Sequence, residues 1–533
     1  MEGFGDAMIT IKNYVFEKHI AVGKNTHAIN WPVVYLIEDG KSIYIGETNK
    51  FSRRMGQHYQ NPLKNHLKEV HMITDEDFNK SAIRDIESAL IGYFAADNKY
   101  KILNHNNGVT NQDYFDRTAY KNKVPQIWEE LQKKGIAQRD IFQLENTDLF
   151  KYSPYKSLSD DQFSIAHMIL ADCIKNPESL SFVEGNPGTG KTILAMYLLK
   201  ILVKSKAKQG LKVALVVPMT SLRTTLQRVA RNIEGLKSSN IIGPTQVIKD
   251  DYDTLIIDEA HRLMRRKNII SYGTFDNVNN YLGLDKDKGD QLDWIRMSSK
   301  HQIFFYDEGQ SIKPADIPKE KFLNLKHSTS STKTIYELTS QHRVRGGNDY
   351  INYVDRFLQD NVKDVITFKD YDVKIHTNFK SFNDKMIELN NEHNLVRMVS
   401  GYSFKWISKN DTSKYDIIID GIKKQWNTVA RDWVNSPMAT KEVGCIHTVQ
   451  GYDLNYVFLI FGKEIDYNFT TNSITIDKGQ YYDIKGKSSI TDEKVLKDYI
   501  INIYKTLMTR GIKGIHMYSC NKNFEKYLKM YFG

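Results

Sequence analysis

The stretch FVEGNPGTGKTIL, residues 182–194, decides the fold class. An apolar run ends at Gly185, glycines follow at 188 and 190, and Lys191 and Thr192 open a segment of helical periodicity. Strand, glycine-rich turn and helix in that order fit the spacing G-x-x-x-x-G-K-[ST]. The backbone N–H groups of Gly185, Asn186, Pro187's neighbours, Gly188, Thr189 and Gly190 are expected to close around phosphate oxygens, and the helix start adds partial positive charge there. Lys191 would reach the β and γ phosphates and Thr192 would ligate Mg2+. ATP and Mg2+ are the expected cofactors.

Working outward, TLIIDEAH at 254–261 is the partner such a loop needs. Thr254 and the apolar Leu255, Ile256 and Ile257 form a strand that delivers Asp258 and Glu259 to its end. Asp258 would hold Mg2+ through water, and Glu259 would polarise the attacking water. A lone DEAH is equally a salt-bridged loop; the phosphate loop upstream favours the ATPase reading. From residue 156 onward, SLSFVEG, KVALVVP, TLIIDEA and QIFFYDE read as buried strands, and DVKIHT, LVRMVSG, GCIHTV, NYVFLIF and IHMYS repeat the style further on. Strands alternating with helices imply parallel sheets with crossover connections. The expected fold class is α/β multidomain, with two parallel-sheet lobes at 156–335 and 336–533 whose motifs resemble those of RecA-like domains.

The order of motifs resembles a superfamily 1 helicase, and most the Schlafen group-3-type DNA/RNA helicase domain, over roughly residues 145–533. By that resemblance Gln162 in LSDDQ contacts the adenine base, and Gln310 in FFYDEGQSI lies near the γ-phosphate. Arg343 in LTSQHRVRGG and Arg510 in IYKTLMTRGIKG are the arginine fingers. Thr448, Gln450 and Gly451 mark GCIHTVQGYDLNYVFLIFG, and VVPMTSLRTTL touches the nucleic-acid strand. Asp453 stands where the family usually carries Glu. Tyr504, Lys505 and Thr506 read as packing or strand contacts. Trp406, Trp426 and Trp433 read as lobe core, with a base-stacking platform as the alternative.

The N-terminal part reads differently. PVVYLIEDGKSIYIG, residues 32–46, is a hairpin turning at Asp39-Gly40. NKFSRRMGQH reads as a helix capped by Asn49 or Ser52, with Arg54 and His58 on one face. DFNKSAIRDIESALIGYFAADN is a second helix, and NHNNG a closing turn. Tyr35, Tyr44, Arg54, His58, Glu87 and Asn104, in that order, resemble the GIY-YIG nuclease family, with VVY in place of GIY. The resemblance implies a small α+β domain over 28–112 in which Glu87 is the single carboxylate ligand of a divalent metal, foremost Mg2+. Arg54 would neutralise the scissile phosphate. Tyr35 and Tyr44 would line the site, Tyr35 helping to deprotonate water. His58 and Asn104 would orient these groups, and Gly46 would permit close backbone approach. Residues 113–155 are expected to be a helical connector between head and motor.

Lys+Arg 74 against Asp+Glu 64 leaves a net charge of +10, which suits a nucleic-acid partner, although composition alone favours a basic protein that is merely solvated. Three scattered cysteines argue against a disulfide framework or a CxxC zinc site. No signal peptide or membrane-spanning run is apparent, so a cytoplasmic location is expected. The expected activity is ATP-dependent cleavage of nucleic acid by a nuclease head joined to a helicase or translocase. DNA is favoured over RNA, with single strands as the motor's substrate. Defence against foreign DNA, an ATP-switched sensor and a repair or recombination helicase-nuclease are the competing roles.

Overall fold

A computed structural model describes the chain except residues 1–8, 21–26, 105–116, 153–157, 208–209, 234, 270, 329–332, 430–431, 450 and 489. The closing turn after Asn104, and Gln450, lie outside the described residues. The chain divides into two compact units. One holds residues 1–168 with 196–204 and 228–238, and the other holds the remainder.

The first unit is built on β1 (Thr10–Val15), β2 (Val33–Glu38), β3 (Ser42–Thr48), β4 (Glu69–Thr74) and β5 (Lys101–Ile102), in the order β1-β4-β2-β3-β5. All neighbours are antiparallel except β3 and β5. Asp39-Gly40 makes the β2–β3 turn as read, with Gly40 at φ +82°. After α1 (His27–Asn30), α2 (Phe51–Tyr59) lays Phe51, Met55 and His58 inward. Its N-cap is Lys50, without a side-chain cap, and not Asn49 or Ser52. The Ser52 hydroxyl donates instead to Ala28 O at 3.3 Å. In α3 (Lys80–Asp97), Asn79 caps the start by accepting from the Ser81 and Ala82 amides, and Asn98 ends it in the left-handed region.

The segment expected to be a connector forms α4 (Arg117–Lys133), α5 (Ile141–Glu145) and α6 (Asp148–Tyr152). These helices pack on α3. Trp128 meets Phe94 edge-on at 4.8 Å, Phe150 stacks on Tyr93 at 5.0 Å, and the Gln138 and Arg139 amides donate to Asp97 at 3.0 Å. The apolar face of α4 is thereby spent on the N-terminal unit.

After α7 (Asp160–Lys175), the second unit opens with β6 (Ser179–Gly185), β7 (Val213–Val216), β8 (Ile241–Ile242), β9 (Tyr252–Ile257), β10 (Ser299–Tyr306) and β11 (Lys333–Leu338). They form an all-parallel sheet in the order β11-β6-β10-β9-β7-β8. β11 crosses the expected break near residue 335 and pairs with β6, so the first sheet runs to Leu338. The second lobe has β12 (Asp372–His376), β13 (Val396–Ser400), β17 (Leu454–Phe461) and β20 (Gly511–Ser519), parallel in the order β12-β20-β17-β13. β14 (Ile417–Ile419), β15 (Ile422–Trp426) and β16 (Glu442–Val443) form a small sheet, and β18 (Ile465–Asn468) pairs with β19 (Ser473–Ile476). GCIHTV is a short helix over Ile446–Val449 rather than a strand. A brief apolar run does not separate the two, and Thr448 settles it by accepting from the Cys445 amide at 3.0 Å. Trp426 and Trp433 are core as expected, but Trp406 is 39% exposed.

Candidate nuclease and nucleotide sites

In the first unit the hairpin fixes the site. Tyr35 on β2 pairs directly with Gly46 on β3, and a Cβ on Gly46 would lie 2.4 Å from Tyr35 Cζ. Only glycine lets the ring lie across β3. Asn104 holds the same stretch from its other side. It accepts from the Ile45 amide at 3.0 Å and donates to Ile45 O at 2.7 Å, pinning the residue between Tyr44 and Gly46.

The Tyr35 hydroxyl and His58 Nε2 are 2.8 Å apart, and the Tyr44 ring lies 4.8 Å from that of His58. His58 Nδ1 faces Lys64 Nζ at 3.2 Å, and the Lys64 ammonium also sits 3.2 Å over the Tyr44 ring. An ammonium only donates, so while Lys64 is charged Nδ1 accepts and Nε2–H points at the Tyr35 oxygen. Burial, with Lys64 and Arg54 adding repulsion, pushes His58 down to about 3. Burial and Arg54 also push Lys64 down to about 8. Burial, with the neighbouring Tyr44, raises Tyr35 well above the usual phenol value, and Arg54 pulls against it through a hydrogen bond.

Glu87 on α3 is pushed up to about 7, first by burial and then by the charge of Glu47. Glu47 follows directly on YIG and pairs with Lys80, with Arg84 Nε 3.8 Å away. A desolvated carboxylate pressed by a second carboxylate gains from a cation, which is the donor chemistry a divalent metal needs. Tyr35, Tyr44, Arg54 and His58 are linked by these contacts. Glu87 belongs to them electrostatically, through Tyr44 and Arg54, and Asn104 braces the strand. Lys64 and Glu47 have no part in the sequence reading. Lys64 joins the site only through the fold, whereas the adjacency of Glu47 to YIG was a visible signal.

In the second unit, parallel pairing brings Gly185, Asp258 and Asp307 out at the same end of the sheet. The loop turns through positive φ at Gly188 and Gly190. A Cβ on Gly188 would lie 2.2 Å from Gln341 Oε1, because the segment Gln341–Arg343 lies against the loop. His342 N donates to Gly188 O at 2.9 Å and Gln341 Nε2 to Pro187 O at 2.7 Å. Lys191 Nζ donates to the carbonyls of Gly185 and Asn186 and, at 3.2 Å, to Asp307 Oδ2. Thr192 Oγ1 donates to Asp258 Oδ2 at 2.8 Å. Burial, with the charge of Glu259 beside it, raises the Asp258 carboxyl. A hydroxyl and a strained carboxylate side by side suit Mg2+. Burial opposes ionisation of Glu259 as well, but His261, 2.9 Å away, and Arg510 outweigh it and hold Glu259 below the usual range.

Arg510 is 1% exposed, and its Nη2 donates to Gln310 Oε1 at 3.2 Å. Gln310 Nε2 in turn donates to Asp307 Oδ2. Arg343 Nε donates to Asp453, so Asp453 holds that arginine from within its own lobe. Gly451 takes φ +87° beside Met219 and Leu222, and the next residue, Tyr452, bridges to Ser221 at 3.0 Å and Thr225 at 3.1 Å in the first lobe. Gln162 lies on the first turn of α7, where its Oε1 accepts from the Ser159 amide at 3.1 Å. Asp307, within the quoted DEGQ, was given no role in the sequence reading.

The sequence model of the Schlafen group 3, DNA/RNA helicase domain matches residues 178–521, more than half of the chain. The chain belongs to the Schlafen group 3 helicase family. The GIY-YIG catalytic domain matches residues 32–101 of this family member. It is 24% identical over 387 residues to YPL245W, an uncharacterized protein of Saccharomyces cerevisiae, covering 65% of this chain and 82% of the yeast protein. Among solved structures it resembles the arterivirus nonstructural protein 10 helicase in complex with DNA. There the identity is 13%, the coverage 68% of this chain and 65% of that one, and the TM-score 0.29. It also resembles the Pif1 helicase from Candida albicans, with 11% identity, 70% and 98% coverage, and TM-score 0.29. A helicase domain and a GIY-YIG nuclease domain therefore share one chain. Among the described residues, no helix is long and apolar enough to cross a membrane.

Proposed function

We propose that this helicase-family chain is an ATP-dependent nuclease that cuts DNA with its N-terminal domain and uses its two parallel-sheet lobes to hydrolyse ATP on single-stranded nucleic acid. The observation that carries the reading is the Tyr35–His58–Lys64 contact chain, with Arg54 and Glu87 coupled to it electrostatically, in a chain that also holds a formed phosphate loop.

In the nuclease domain Arg54 binds the scissile phosphate and Tyr44 lines its seat. The Tyr35 oxygen, held by Nε2–H of a neutral His58, orients the attacking water and helps to deprotonate it. Lys64 sets the tautomer of His58. Glu87 would hold a divalent metal, which would supply Lewis acidity at the phosphate. In the motor, Lys191 exchanges Asp307 for the β and γ phosphates. Thr192 and Asp258 hold Mg2+, Glu259 orients water, Gln310 senses the γ-phosphate, and Arg510 and Arg343 meet the transition-state charge from the second lobe. Gln162 reads the base. We attach defence against foreign DNA as the role on the pairing of nuclease and motor alone. Loss of resistance to viruses or plasmids on deletion in the source organism tests it.

The test of the activity is plasmid cleavage in Mg2+ with and without ATP, by wild type, Glu87→Ala and Lys191→Ala. Loss of cutting in Glu87→Ala, and loss of only the ATP response in Lys191→Ala, are expected. Equal cutting by wild type and Glu87→Ala sinks the nuclease assignment. No cutting by wild type under any nucleotide condition turns the reading to an ATP-switched sensor.

A further inference from the structure

We propose that Glu38, Glu69 and His71 form a zinc site on the face of the N-terminal sheet opposite the nuclease residues. Alternation along β2 sends Tyr35 to one face and Glu38 to the other, so the two centres lie on opposite sides of the sheet.

Three observations converge there. Glu38 on β2 pairs directly with Glu69 on β4, an arrangement of like charges that costs stability unless a cation lies between them. His71 stands two residues further along β4 on the same face, and one ligand atom from each of the three lies within 4.8 Å of the others. His71 is 2% exposed, and its Nε2 has no hydrogen-bond partner among the described residues. Its contact with Glu38 Oε1 is long, 3.5 Å, an ion pair only when the ring is protonated.

The other ring nitrogen supplies the reason Nε2 is free to ligate. His71 Nδ1 lies 3.1 Å from Oδ1 of Asn13, its direct partner on β1. With Nδ1–H donating to that amide oxygen, Nε2 carries a lone pair aimed at the two carboxylates. An outer hydrogen bond that fixes the tautomer and orientation of a histidine is the usual companion of a metal ligand. Glu38 has its own brace, accepting from the Gly40 amide in the hairpin turn. Glu69 is exposed and free to swing inward. One imidazole and two carboxylates suit zinc better than Mg2+ or Ca2+, with water completing the tetrahedron. The ion would tie the β2–β3 turn to β4 and neutralise the opposed glutamates. This inference is independent of the nuclease reading.

The experiment uses full-length protein, stripped with chelator and dialysed against micromolar Zn2+ with millimolar Mg2+, its zinc counted by plasma mass spectrometry. One zinc per chain is expected in wild type and in Glu87→Gln, and none in His71→Ala or Glu69→Gln. Asn13→Ala should weaken binding about 10- to 100-fold. The surface variant Glu69→Gln keeps the test valid if His71→Ala fails to fold. Zinc-free wild type, zinc retained by both ligand variants, or zinc lost in Glu87→Gln would each overturn the proposal. The first of these leaves His71 as a plain counter-charge to the glutamates.

Discussion

Arg510 Nη2 donates to Gln310 Oε1 at 3.2 Å, and through Gln310 this buried arginine of the second lobe reaches Asp307, the carboxylate that holds Lys191. The contact joins the two lobes beside the phosphate loop. In the proposed reading, ATP that draws Lys191 from Asp307 breaks into this line of contacts. Replacing Arg510 by Lys keeps the charge and loses the fork geometry. ATP turnover of Arg510→Lys should fall by about 10³-fold or more, while nucleotide affinity changes by only a few-fold. Steady-state hydrolysis beside fluorescent-nucleotide binding measures both, and unchanged turnover would remove Arg510 from the transition state.

Gly46 and Tyr35 make a second prediction. A methyl group placed 2.4 Å from the Tyr35 ring has no room in a buried site. Gly46→Ala should therefore destabilise the N-terminal unit by about 1 to 3 kcal/mol and abolish cutting, with ATP hydrolysis retained. Urea unfolding and the plasmid assay check it, and an unaltered cutting rate would show that the ring does not need its present seat.

His58 gives a pH dependence with a definite sign. Its folded value, about 3, lies below the ordinary 6.5. Between those values the unfolded chain binds a proton that the native state refuses. The contribution of His58 is whole above about pH 6.5 and is lost as pH falls through the window, amounting to no more than about 5 kcal/mol. The urea midpoint of wild type should drop more steeply below pH 6 than that of His58→Gln. Parallel curves would mean that the imidazole is hydrated in solution.

What could be read from the sequence follows a physical division. The phosphate loop, DEAH, the Asp39-Gly40 hairpin and the α3 periodicity are local patterns, in which neighbours in sequence are neighbours in space. Lys64 and Asp307 act through contacts made only by the fold: Lys64 on His58 and Tyr44, Asp307 on Lys191. The helix at Ile446–Val449 escaped because a four-residue segment is too short to display a period. The α4–α6 helices looked like a connector because their partner face, on α3, cannot be seen from their own amphipathicity.

Trp406 shows the same division and yields the last prediction. Trp426 and Trp433 are buried, whereas Trp406, in the same stretch, is 39% exposed with Lys409 Nζ 5.3 Å from its ring. The loop that carries it is not loose. Asp416 accepts from the Ile407 and Ser408 amides at 2.6 and 2.7 Å and from the Trp426 amide at 2.6 Å, fastening the loop to β15. An indole held out on a braced loop among lysines is a ready stacking surface for a base. Stacking of one base on an aromatic ring contributes about 1 to 3 kcal/mol. Trp406→Ala should weaken single-stranded DNA binding by roughly 5- to 150-fold, leaving the thermal midpoint unchanged, while Trp433→Ala should lower that midpoint by removing a core side chain. Fluorescence anisotropy with a labelled oligonucleotide decides it. Equal affinity in wild type and Trp406→Ala would take the strand elsewhere on the lobe, and Asp416→Ala separates the two cases, since unfastening the loop should weaken binding only if the indole touches the strand.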